Sequence, residues 1–221
     1  DSASAIEAIA HMCHRLNLPF HIRVGIGTGS HQFADAKERT CHEDAILGRH
    51  AKSCLSITWH DAFNDEHLLP LVNSSKPRFN RELVMSSHIL AIGSLEPHYL
   101  AGLTGAHKTL TVGLMSFEDI TNNHAHALNS AASGMKLKGN PIYDGLSESI
   151  QAMEKSGKRL FAMNEIIIGG RVKRCYSGHP LESLHQALPD LRAIFCHKVS
   201  SPKDLIISIV NPPLYRDLYQ A

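Results

Sequence analysis

Short β-branched runs alternate with stretches of helical spacing along the whole chain, and that alternation limits the fold more than any other feature. Residues 4–16 place Ile6, Ile9, Cys13 and Leu16 on one helical face, closed by Asn17 and Pro19. Ile22-Arg-Val-Gly-Ile26 reads as a strand emptying into the glycine loop Gly27-Thr-Gly-Ser-His31, after which Asp35 caps a helix toward Leu47. Residues 55–59 and 87–93 are further strands, and 144–155 is a helix stopped by Gly157. Residues 159–168 and 171–176 form a hairpin turning on Gly169-Gly170, and Pro180 opens a helix through Leu191. This order predicts an α/β domain: a mostly parallel sheet flanked by helices, Rossmann-like, with the site in its loops. The last apolar run, 205–210, follows Ser200-Ser201 and Pro202. It predicts a linker and the first strand of a second α/β domain, so the chain divides into a cofactor and catalytic domain over 1–199 and a start of the next over 200–221.

The 221 residues carry 43% hydrophobic and 19% charged side chains, enough apolar surface for a core and too little charge for disorder. Lys and Arg number 22 against 21 Asp and Glu, without a block of like charge, which leaves no basic surface for nucleic acid or membrane. A small molecule is the expected partner. No apolar run approaches the roughly 20 residues that span a bilayer, and residues 1–7 lack the basic start of a secretory signal. A cytoplasmic location is expected. Five cysteines, an odd number without a C-x-x-C pair, argue against a disulfide framework and a sulfur-bound zinc. Sixteen histidines are an excess that points toward metal or proton chemistry.

Glycine concentrates with histidine or lysine in two stretches, Gly25-Ile-Gly-Thr-Gly-Ser-His31 and Glu96-Pro-His-Tyr-Leu-Ala-Gly-Leu-Thr-Gly-Ala-His-Lys108, and Asn122-Asn-His124 follows. Glycines at a strand end let backbone N–H groups approach an anion, so a phosphate-bearing cofactor competes with an ordinary tight turn. The second stretch is not a P-loop, because Ala106 and His107 separate Gly105 from Lys108. His124 and His126 read either as exposed helix residues or as a zinc-binding pair.

Taken in order, these segments resemble the nickel-dependent lactate racemase family and its relatives acting on other 2-hydroxy acids, in its N-terminal catalytic domain. Gly29-Ser30-His31 matches a Gly-Thr-His loop after a strand. Pro97-His98, Ala101-Gly102 and Thr104-Gly105 through Lys108 match Pro-His-x-x-Ala-Gly-x-Ser-Gly-Gly-x-Lys. Asn123-His124, Gly139-Asn140-Pro141 and Leu218-Tyr219-Gln220 supply the remaining three matches. The resemblance covers nearly the whole chain.

It implies a racemase or epimerase, an isomerase, using a nickel-pincer mononucleotide: a pyridinium ring with two sulfur-bearing arms and a carbon bound to nickel. In the family the lysine joins the cofactor through a thioamide, which assigns Lys108, and the Asn-His histidine completes nickel coordination, which assigns His124. His31 and His98 are assigned as acid and base on opposite faces of the substrate. Gly27, Gly29, Gly102, Gly105 and Gln220 are assigned to cofactor binding. The implied partners are a 2-hydroxy acid and the proteins that build the cofactor and insert nickel. A 2-hydroxy acid has a weakly acidic Cα–H; taking its hydroxyl proton while a hydride leaves Cα avoids a carbanion and passes through a ketoacid. Histidine, with an ordinary pKa of about 6.5, exchanges that proton in either direction at neutral pH.

Thr104-Gly105-Ala106 stands where the family has Ser-Gly-Gly, adding a methyl group. The family's Asp-x-Thr-Arg motif, whose arginine holds the substrate carboxylate, and its lysine after Leu-Tyr-Gln find no match here. The chain thus reads as a piece of a two-domain protein, cut at both ends. A second reading keeps the fold without the organic cofactor, as a non-catalytic metal- or phosphate-binding domain whose histidines hold Zn²⁺ or Ni²⁺.

Overall fold

The computed structural model describes residues 2–19, 22–31, 35–72, 74–202 and positions 204, 205 and 207. Helix α1 (Ser2–Arg15) leads to strand β1 (Ile22–Ile26), helix α2 (Ala36–Leu47) and strand β2 (Cys54–Trp59). Strands β3 (Leu68–Pro70) and β4 (Arg78–Asn80), helix α3 (Arg81–Met85) and strand β5 (His88–Ser94) follow. Next come the two-residue strands β6 (Pro97–His98) and β7 (Gly102–Leu103), then helices α4 (Ala106–Leu110), α5 (Phe117–His124) and α6 (Pro141–Lys155). The hairpin β8 (Arg159–Ile168) and β9 (Arg171–Gly178) precedes helix α7 (Pro180–Phe195).

The helices begin where the sequence offers caps. Asp35 accepts a hydrogen bond from the Glu38 N–H, Ser116 from the Asp119 N–H, and Asn140 from the Ile142 N–H; Pro141 and Pro180 occupy first helical turns, where a missing N–H costs nothing. α6 buries Ile142, Leu146, Ile150 and Met153, the three-and-four spacing of an amphipathic stripe.

The α/β class and its parallel pairing are as expected. β1 lies parallel to β2, with Ile26 opposite Trp59, and β5 lies parallel to β8, from His88 opposite Arg159 to Ser94 opposite Glu165. β9 closes β8 antiparallel through the Gly169-Gly170 turn. Among the described residues these pairs form separate sheets of two or three strands, with β3–β4 and β6–β7 as small antiparallel ladders. Of the expected strand over 205–210 only positions 205 and 207 are described, neither of them in a strand, and the proposed site residue Gln220 lies outside the described residues. No helix among the described residues is long and apolar enough to cross a membrane.

Two apolar clusters hold the molecule. One gathers Phe79, Leu100, Ala101, Ala106, Leu110, Leu146, Met153 and Ala162; the other Leu95, Leu103, Leu137, Tyr143, Ile166, Leu184 and Leu191. The stretch 95–110 contributes to both. Its apolar residues anchor it on two sides, and its polar residues His98 and Lys108 are presented from a clamped backbone.

Candidate active site

The site is built on the β6–β7 hairpin and the first turn of α4. His98 pairs with Gly102 across the two-residue ladder, and its ring Nδ1 accepts hydrogen bonds from the backbone N–H groups of Leu100 (3.2 Å) and Ala101 (3.1 Å) inside the same loop. The Tyr99 ring stacks on it at 4.8 Å. Its Nε2 lies 2.7 Å from Lys108 Nζ.

Several contacts make that placement rigid. Gly102 has φ +80°, a conformation that favours glycine, and a Cβ there would sit 2.2 Å from the Lys136 carbonyl oxygen. Asn140 is wholly buried; its amide donates to the carbonyls of Leu100 and Lys136 while its oxygen caps α6. One side chain therefore grips the His98 loop and starts a helix. Gly105 (φ +139°) is the N-cap of α4 and has no side chain to satisfy the helix, so Asn164 from β8 does it: its Oδ1 accepts the Ala106 N–H at 2.8 Å, and its amide donates to Ser183 Oγ. The sequence reading missed Asn164. A polar residue in the middle of an apolar strand was the available signal.

The methyl of Ala106 is accommodated rather than pressed against an open pocket. Ala106 is fully buried, and the facing residue is Gly93 of β5, where a Cβ would come within 2.5 Å of Ala106 N. At the other glycine loop, Gly29 (φ +59°) donates its N–H to the Gly113 carbonyl, and Gly27 packs against the carbonyls of Thr109 and Gly113. Thr28 donates to the His60 carbonyl. The β1 loop is thus docked on the turn that follows Lys108. All four glycines assigned to cofactor binding, Gly27, Gly29, Gly102 and Gly105, have a conformational or packing role inside the fold.

Charge ties the four principal residues together. Burial pushes the Lys108 amine down to about 8. Burial, with the charges of Lys108 and His124, pushes His98 down to about 3. His124 is lowered by burial, then by Lys108 and, more weakly, His31, against the opposing effect of its own backbone hydrogen bond. The charges bearing on His98 and His124 are all basic, an environment that favours anionic groups. His124 closes α5, and its Nδ1 lies 3.0 Å from the Ile120 carbonyl, which can only accept. The Nδ1 therefore carries the proton, and the Nε2 lone pair is free, which is the arrangement of a metal-binding imidazole.

His126 does not join His124. It lines a different cleft of about 540 Å³ with Asn122, Asn123, Asp144 and Glu148, so the two histidines do not act as a zinc pair. Among the described residues no three His, Cys, Asp or Glu side chains converge to hold a metal ion. His31 is exposed and lines a cleft of about 430 Å³ with Arg39, Trp59, His60 and His67; the His98–Lys108 pair does not line it. Trp59 stands half-buried in this wall, its indole N–H donating to Glu43 and the Arg39 guanidinium 5.6 Å from its ring centre. His107 is fully buried edge-on to Tyr143.

Residues 3–136 match the family model of the lactate racemase N-terminal domain. The chain is 26% identical over 212 residues to the lactate racemase of Thermoanaerobacterium thermosaccharolyticum, covering 93% of this chain and 48% of that protein. In structure it is similar to the lactate racemase apoprotein from the same organism, with TM-score 0.63 and 23% identity over 77% of this chain and 40% of that one. It is also similar to a Thermotoga maritima protein, with TM-score 0.66 and 16% identity over 87% of this chain and 50% of that one. The chain spans about half the length of the curated relative it matches. It belongs to the lactate racemase N-terminal domain family.

Proposed function

We propose that this chain is the cofactor-holding and catalytic part of a 2-hydroxy-acid racemase or epimerase that uses a nickel-pincer nucleotide. One observation carries the reading: a half-buried lysine of lowered basicity touches one histidine, and its charge bears on a second histidine whose Nε2 lone pair is free. The residues fit the group. Lys108 supplies an amine for covalent attachment, and His124 Nε2 a nitrogen ligand acceptable to nickel. A plain metal site would need several converging protein ligands, and among the described residues no three His, Cys, Asp or Glu converge, which favours the reading with an organic cofactor over a plain metal site.

When bound, the group supplies a hydride acceptor beside the substrate carbon. The rest of the chemistry belongs to the protein. His31 and His98, on separate loops, hold or take the hydroxyl proton for the two enantiomers. The basic cluster draws in the substrate carboxylate, and the glycine-shaped loops keep the backbone in place. Residues 1–199 constitute this domain, and 200–221 lead into a second one. The cofactor-building and nickel-insertion proteins are its partners, and the cytoplasm its location.

The test is the loss of optical rotation of a panel of 2-hydroxy acids by the parent chain, produced with the cofactor-building proteins. His98→Ala and His31→Ala should each lower turnover by about 100-fold or more, the usual worth of a positioned proton-transfer group. Full activity in the double variant would refute the assignment of these histidines.

A further inference from the structure

The cleft that His31 lines is larger than a lactate-sized substrate needs. It holds about 430 Å³. A three-carbon hydroxy acid displaces only about three or four waters, at about 30 Å³ each, so most of that space lies beyond the reacting carbon. Three segments wall it: the loop after β1 with His31, α2 with Arg39, and the chain from Trp59 through Asp61 and Asn64 to His67. Arg39 is the fixed cation among them. Its guanidinium lies 5.6 Å from the Trp59 ring centre, a contact that restrains it without using any of its N–H donors. Glu43, one turn along the same helix, accepts the Trp59 indole N–H instead, and among the described residues no carboxylate pairs with Arg39.

We propose that Arg39 binds a second carboxylate, at the remote end of the substrate, and that the chain acts on 2-hydroxy dicarboxylic acids in preference to lactate. The planar fork of a guanidinium matches both oxygens of a carboxylate, which fixes orientation as well as supplying charge. The other titratable groups of the wall limit the charge it accepts. His60 is buried, with its Nε2 2.8 Å from the Met115 carbonyl and its Nδ1 3.3 Å from the Asn80 amide. Asp61 accepts the Phe63 N–H and keeps one negative charge in the wall. One arginine beside one aspartate suits a singly charged carboxylate better than a dianionic phosphate. The loop that carries His31 rests on the turn after Lys108, Gly27 against Thr109 and Gly29 on the Gly113 carbonyl, which sets the cleft next to α4. A substrate whose hydroxyl meets His31 would then extend its reacting end toward Lys108 and its remote end toward Arg39. The role of this ligand as substrate rests on the reading proposed above; the affinity of the cleft for it does not.

Trp59 is the only tryptophan in the sequence, so its emission and its indole ¹⁵N–H resonance report on this cleft. The full chain without cofactor is titrated with malate, lactate, gluconate and inorganic phosphate at neutral pH. Malate should shift both signals and saturate, with a Kd about tenfold or more below that of lactate, the worth of one added charge-assisted pair. Arg39→Gln should raise the malate Kd about tenfold or more and leave that of lactate within about twofold. Arg39→Lys keeps the charge and loses the fork, and should fall between the two. Arg39 is exposed, so the urea midpoints of both variants should stay at the wild-type value, which separates lost binding from lost folding. Absence of any malate-dependent shift, equal affinity for malate and lactate, malate binding unchanged in Arg39→Gln, or tighter binding of gluconate or phosphate overturns the proposal. The outcome is separable from that of the proposed function. Malate affinity without racemisation of any 2-hydroxy acid by the parent chain keeps the cleft assignment and removes the racemase reading, and racemisation of lactate without malate affinity does the reverse.

Discussion

The His107 ring is 0% exposed, and neither of its nitrogens has a hydrogen-bond partner among the described residues. Burial, then the charges of Lys108, His98 and His185, push it down to about 3 from the ordinary 6.5. The folded form therefore binds its proton less readily than the unfolded chain. The sign follows: its contribution to stability is intact above about pH 6.5 and is lost as pH falls toward about 3, by a few kcal/mol in total. His60, His98 and His124 are lowered as well and act in the same direction. Urea unfolding at pH 7 and pH 4 should show a marked loss in the wild type and a smaller one in His107→Leu; identical losses would remove His107 from the account. Asn140 makes the complementary case. Asn140→Ala removes a helix cap and strands the Leu100 and Lys136 carbonyls, and the expected cost is about 2–4 kcal/mol in the urea-derived stability at pH 7.

Among the elements, what the sequence revealed was local. Asp35 before α2, the Ile22–Ile26 run, the Gly169-Gly170 turn and the proline opening α7 all act within a few residues, and each element formed where those signals stand, whereas α6 starts at Pro141, three residues before the expected 144. What it did not reveal was distant in sequence. The Asn164 cap on α4 spans 58 positions, and the pairing of β5 with β8 joins His88 to Arg159. The glycine motif of the site was visible in the string, but the work of its glycines was not, because Gly102 and Gly105 are shaped by Lys136, Leu95 and Asn164, which lie elsewhere in the chain. Gly93 closes the expected strand over 87–93, and no local signal marks what it does. It lets β5 approach the start of α4, and Gly93→Ala would place a methyl 2.5 Å from Ala106 N and 2.6 Å from the Gly105 carbonyl carbon. Backbone has to move, and overpacking of this kind costs about 1–3 kcal/mol. The variant should lower the urea midpoint and reduce Lys108 acetylation relative to a surface lysine. An unchanged midpoint would mean that β5 and α4 have more room than the structure shows.

At the scale of the whole molecule, two apolar clusters meet on the stretch 95–110, so the reactive residues sit where the fold is held from both sides. That is the arrangement expected of a site whose geometry must persist before any cofactor arrives. The β1 loop docks at the end of this stretch, Gly27 against Thr109 and Gly29 on the Gly113 carbonyl, while its His31 lines a separate cleft. The chain spans 48% of the curated relative's length.

Everything proposed for function turns on Lys108 as the point of covalent attachment. Intact-protein mass, with peptide mapping and nickel analysis, on chain produced together with the cofactor-building and nickel-insertion proteins tests this most directly. The account predicts an added mass confined to Lys108 with nickel in proportion, both absent in Lys108→Ala, and in His124→Ala the mass retained with the nickel diminished. An unmodified Lys108 in the wild type, or full nickel loading of Lys108→Ala, would contradict it.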